Sequence, residues 1–162
     1  MPFRYPMRPI PTGPMPEPTP MTERTWEASP GRTFVGRLEM GSDLVAEIER
    51  ICLERGVSAA WVSVIGAVRH AAYAYYHQAD HRYLELASET HHEIVGFIGN
   101  VSLRDGAPFL HAHATFADEH GACVGGHLLR GIEVFAAEFT IRELLGAELV
   151  RTYDEESGLA LW

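Results

Sequence analysis

The residues best placed to do chemistry are the histidines of Phe109-Leu-His-Ala-His-Ala-Thr-Phe116 and the one in Gly125-Gly126-His127. Side chains two apart on a strand point to the same face, so His111 and His113 are expected as neighbours, with Leu110, Ala112, Ala114 and Phe116 turned into the core. His127 follows after a hairpin-sized gap, and the glycine pair before it lets the backbone approach closely or take positive φ. Neutral imidazole is a common ligand for zinc, nickel and iron. Three protein ligands with an open fourth position is the arrangement of catalytic zinc sites, whereas structural sites are usually closed by four. The competing reading is a hydrogen-bonded histidine cluster lining a cleft or an interface.

Other candidates are weaker. Glu138 sits among Phe135, Ala136, Ala137 and Phe139, where a carboxylate is out of place unless it is paired. It could bind an ion beside the imidazoles, orient one of their rings or act as a general base, and a salt bridge with Arg130 or Arg142 is the alternative. His91-His92-Glu93 is a second cluster, but adjacent residues on a strand face opposite ways. His70, His77 and His81 read as surface residues, and Tyr73, Tyr75 and Tyr76 as packing. No GxSxG, P-loop or dinucleotide fingerprint occurs, which argues against a serine or cysteine hydrolase.

The elements that must position the histidines can be read from periodicity. A strand is expected at Thr33–Met40, and Ser42 or Asp43 then caps a helix from Leu44. Leu44, Ile48, Ile51 and Cys52 form its apolar stripe, opposite Glu47, Glu49 and Glu54, and Gly56 stops it. Ala59–Ala67 is apolar with little alternation and predicts a strand buried on both faces. Strands follow at His70–His77, Arg82–Ala87 and Glu93–Leu103. Arg104-Asp105-Gly106 is a tight-turn signal, returning the chain along Phe109–Phe116. A polar turn at Asp118–Gly121 leads to a short strand near Ala122–Val124, interrupted by Gly125-Gly126, and Val134–Leu144 closes the sheet. The expected fold is α+β, with about seven mainly antiparallel strands packed against one main helix.

Composition bounds the rest. Nine of the ten prolines lie between Pro2 and Pro30, so residues 1–31 read as a Pro-rich disordered arm. Residues 32–155 form the expected domain and 156–162 a C-terminal tail. Acidic residues outnumber basic ones 22 to 13, all the basic ones are arginine, and the net charge is −9. That balance opposes direct duplex binding, which needs a basic patch to displace counterions, and no binding to random DNA at physiological salt is expected. Cys52 and Cys123 form no paired motif and read as reduced, buried thiols. No stretch approaches the length of a membrane span and no secretory leader is evident, so a cytoplasmic protein is the default expectation.

The run Gly99-Asn100-Val-Ser-Leu-Arg-Asp-Gly-Ala-Pro-Phe-Leu-His111-Ala-His113, then Gly125-Gly126-His127-Leu128 and Ala137-Glu138, resembles the plants-and-prokaryotes-conserved (PPC) domain. Gly56-Val57, Val64–Val68 and the Leu44–Arg55 helix fit the same pattern, so the likeness spans about residues 32–155. The resemblance implies an antiparallel sheet flanked by helix and a homotrimer. It also implies a divalent transition metal, zinc first, on His111, His113 and His127 with Glu138 nearby. Plant members follow AT-hook motifs and contact transcription factors, and stand-alone bacterial members are often named for DNA binding. Here Pro30-Gly31-Arg32 is a poor substitute for an Arg-Gly-Arg-Pro hook. The plant partner-binding segment Gly-Arg-Phe-Glu-Ile-Leu is replaced by Thr90–Val95, which keeps only Glu93 and Ile94. Two further readings therefore stand beside the metal site. One is a DNA-associated regulatory or interaction module working through a protein or small-molecule partner. The other is a trimeric scaffold.

Overall fold

The structure, a computed structural model, describes residues 24–162. Eight strands form one sheet: β1 (Ser29–Leu38), β2 (Ala60–Val68), β3 (Ala71–His77), β4 (Arg82–Ser88), β5 (His92–Arg104), β6 (Ala107–Ala117), β7 (Cys123–Leu128) and β8 (Val134–Leu145). Their order is β1-β8-β2-β5-β6-β7-β3-β4, and every pairing is antiparallel. A separate hairpin, β9 (Thr152–Asp154) with β10 (Leu159–Leu161), ends the chain. The α+β expectation holds, with eight sheet strands in place of about seven.

Helix α1 (Leu44–Arg55) begins where Asp43 caps the Ala46 N–H and ends at Gly56, whose φ of 63° lies in the left-handed region. Leu44, Ile48 and Cys52 are fully buried against one sheet face, each large apolar side chain contributing about 1.5–3 kcal/mol. Cys52 is core, its thiol pushed up to about 12 chiefly by burial. Cys123 is exposed, contrary to expectation, because it pairs with Ala117 and so points to the sheet face away from α1. Glu49 also departs from its expected polar face. It is 8% exposed, accepts the Leu110 N–H at 2.9 Å and pairs with Arg130.

Three strand expectations need correction. β1 starts at Ser29, inside the segment read as an arm, because an edge strand tolerates Pro30 next to a bulge; residues 1–23 of that arm lie outside the described residues. β2 is not buried on both faces: Val62 and Val64 point inward, but Trp61 and Ile65 are exposed on the face away from the helix. β7 runs straight through Gly125-Gly126, and the stretch read as a tail returns as β10. The Asp105-Gly106 turn joins β5 to β6 with φ of 52° and 78°, as a two-residue hairpin requires. No helix among the described residues is long and apolar enough to cross a membrane.

Candidate metal centre

β6 and β7 bring the three histidines together on the sheet face away from α1. Along β6, Leu110, Ala112, Ala114 and Phe116 are buried, while His111 is half-buried and His113 exposed. His113 is the direct cross-strand partner of His127. The glycine pair acts by close approach. A Cβ on Gly125 would meet the Ala114 carbonyl oxygen at 2.1 Å, and one on Gly126 the Ala74 carbonyl oxygen at 2.5 Å. Without side chains at these positions, β7 fits between β6 and β3 and carries His127 to the pair.

The ring centroids are 5.4 Å apart for His111 and His113, 5.1 Å for His111 and His127, and 5.5 Å for His113 and His127. One nitrogen from each ring lies within 4.8 Å of the other two. Ligands of a tetrahedral zinc at about 2.0–2.1 Å stand roughly 3.4 Å apart, so the widest of these spacings would have to shorten for the three rings to share one ion. His111 and His127 are held down to about 4, first by burial, then by neighbouring imidazoles and Arg151. Both are neutral near pH 7, the form that binds a metal. The buried Nδ1 of His127 has no hydrogen-bond partner among the described residues. A cluster held together only by hydrogen bonds would satisfy that atom, and an ion within reach fits it better.

The walls come from elsewhere in the chain. Tyr83 of β4 stacks on His127 with centroids 4.8 Å apart. Asn100 of β5 lies directly across from His111, and its Oδ1 accepts a 2.9 Å hydrogen bond from Arg151 Nη2. Arg151 also donates from Nε to Ser102 Oγ at 2.7 Å and from Nη1 to the Ala160 carbonyl at 2.9 Å. Ser102 shares the outer face with Asn100 yet is fully buried, so the C-terminal segment covers this end of the sheet. Tyr76 fastens that segment by donating to the Ser157 carbonyl at 2.7 Å.

Glu138 does not join the imidazoles within one chain. It is exposed on β8 opposite Arg37 and Ile65, three strands from β6 and hence about 14 Å away. Arg130, one of its expected salt-bridge partners, pairs with Glu49 instead. His91 and Glu93 face away from His92, whose buried Nδ1 is 2.7 Å from the Thr90 carbonyl oxygen. Glu93 is exposed beside a cleft of ≈ 470 Å³, while Ile94 is in the core and presents no side chain to a partner. Arg151, Tyr83 and Asn100 were not identified as site residues from the sequence. An arginine inside Leu149-Val150-Arg151 was the available signal for the first of them.

An antiparallel sheet with one covering helix and three convergent imidazoles on its open face defines a class of small domain. The chain belongs to the Plants and Prokaryotes Conserved (PCC, or PPC) domain family, whose model matches residues 26–145. It is similar to a metal-containing protein from Archaeoglobus fulgidus at 40% identity, covering 86% of this chain and 99% of that one with a TM-score of 0.83. It is also similar to a plant- and prokaryote-conserved protein from Pyrococcus horikoshii at 36% identity, covering 85% and 95% with a TM-score of 0.82. No curated protein matches the sequence.

Proposed function

We propose that this protein binds a divalent transition metal, zinc first, through His111, His113 and His127, with a fourth position left open to a ligand. The observation that carries this reading is the approach of three imidazole nitrogens to within 4.8 Å of one another on one sheet face. The neutral state of His111 and His127 and the unpartnered Nδ1 of His127 support it. So does the similarity to a protein described as metal-containing. Imidazoles without cysteine or a nearby carboxylate suit zinc, nickel or iron over magnesium or calcium. A bound ion would supply a Lewis acid, and the chain's part is to hold three rings and leave one side accessible.

The domain is further proposed to work as a homotrimer. Val35, Ile65 and Ile98 are 74%, 64% and 66% exposed on the same open face, and Ile98 is the cross-strand partner of His113. Apolar surface of this kind marks an interface. A subunit seated on it would border the imidazoles and could bring a neighbour's Glu138 towards them.

The test is elemental analysis of tag-free protein purified without chelator. Stoichiometric metal is expected in the wild type. His127→Ala should weaken binding by more than the roughly 10–100-fold that loss of a supporting partner costs. Absence of metal, together with a melting temperature unmoved by added zinc or nickel, would overturn the proposal.

A further inference from the structure

The guanidinium of Arg151 is a buried cation with no carboxylate partner among the described residues. Arg151 is 8% exposed, and its acceptors are a hydroxyl, an amide oxygen and a backbone carbonyl, all neutral. Acids are not scarce in a chain with 22 of them against 13 basic residues, so a neutralising partner was available in composition. Instead, a second cation stands close by. Arg104 and Arg151 both pack on the Phe109 ring, at 5.2 and 5.4 Å from its centroid, and the nearest acid to Arg104 is the exposed Asp105 at 3.9 Å. Burying an uncompensated charge costs several kcal/mol. A simple tether for the C-terminal hairpin could have used a neutral donor.

The position of this charge gives it a use. Asn100 links Arg151 to the cross-strand position of His111, whose ring lies 5.1 Å from that of His127 by centroid. A guanidinium carries five N–H groups. Three have acceptors here, which leaves one on each terminal nitrogen. Paired N–H groups on a planar cation match the two oxygens of a carboxylate or a phosphate.

We infer that a small oxyanion, a carboxylate or phosphate group, binds beside the three imidazoles and neutralises the Arg151 guanidinium. The inference rests on the metal reading above. It adds a ligand class that the histidines alone do not specify: an anionic ligand in a molecule whose net charge is −9.

The experiment uses the full-length protein loaded with cobalt(II), whose visible absorption responds to ligands, titrated with acetate, with neutral acetamide and with inorganic phosphate. Metal content is measured separately on every sample. Two variants are compared with the wild type. Asn100→Asp keeps the acceptor for Arg151 but gives it a resident counter-charge, and Arg151→Gln removes the cation. Saturable binding of acetate or phosphate, but not acetamide, is expected in the wild type, and the tighter of the two identifies the oxyanion. Both variants should retain metal and weaken that anion by roughly tenfold, the size of one lost charge-assisted hydrogen bond. Should Arg151→Gln fail to fold, Asn100→Asp alone decides. A wild type without metal overturns the metal reading and this inference with it. Stoichiometric metal with anion affinity changed by less than about threefold, the size of ordinary context effects, overturns the inference alone.

Discussion

Two glutamates two residues apart show what residue type and spacing can and cannot reveal. Glu47 and Glu49 both belonged to the expected polar face of α1, yet only Glu47 is solvated, in an ion pair with Arg50. Glu49 reaches down to the backbone of β6 and takes the Leu110 N–H, next to His111. Helical periodicity places a residue on a face but does not say what lies opposite, and that information is long-range. Glu49→Ala leaves a buried N–H unpaired and is expected to cost about 1–3 kcal/mol by urea unfolding. Its partner Arg130 is too exposed to add much. Glu47→Ala, losing an exposed pair, should cost about 0.5 kcal/mol or less. The histidines were legible because HxH fixes two side chains on one face locally. Arg151 was not, since its place beside them depends on a segment that folds back over β5 after the sheet is complete.

At the scale of elements, β7 was the least legible strand and the one the site depends on most. Glycine pairs usually break strands, so the sequence favoured an interruption at Gly125-Gly126. Here neither glycine has positive φ; both are required because carbonyls of β6 and β3 occupy the space a Cβ would take. Gly126→Ala is therefore expected to destabilise the fold by about 1–3 kcal/mol through overpacking. Because the strain falls next to His127, metal affinity should drop as well, whereas Gly106→Ala, at a turn with open space around it, should leave metal affinity unchanged.

The opposite edge of the sheet is held electrostatically. Glu143 of β8 accepts the backbone N–H, Nε and Nη2 of Arg32 on β1, which hold its carboxyl at about 2, below its ordinary 4.5. A depressed carboxylate stabilises fully above the unfolded value and loses that contribution as pH falls through the folded one. Stability should therefore fall between pH about 4.5 and about 2, and Glu143→Gln should flatten that limb in urea midpoints measured across the range.

The whole molecule is asymmetric: α1 covers one face of the sheet, and nothing among the described residues covers most of the other. The sequence hinted at this in β2, whose apolar run with little alternation looked like a strand buried on both sides. In the structure the run divides into an inward set and an outward set, Trp61 and Ile65, with Val35 on β1 and Ile98 on β5 continuing the patch. A strand that is apolar on both faces but covered on one is what an obligate interface looks like when a single chain is considered. The proposed trimer would cover the patch without altering the fold of the subunit. Light scattering of the wild type should then give three times the chain mass of 18.0 kDa. Ile65→Asp adds a charge where the native side chain is already solvated in the lone subunit, so it should leave subunit folding intact and shift the mass towards monomer. Metal content of that monomer separates two architectures. If it stays stoichiometric, the three imidazoles suffice by themselves. If it falls although His111, His113 and His127 are unchanged, a neighbour supplies the remaining ligand or the exclusion of water, and Glu138, across from Ile65 within the patch, becomes the first residue to replace.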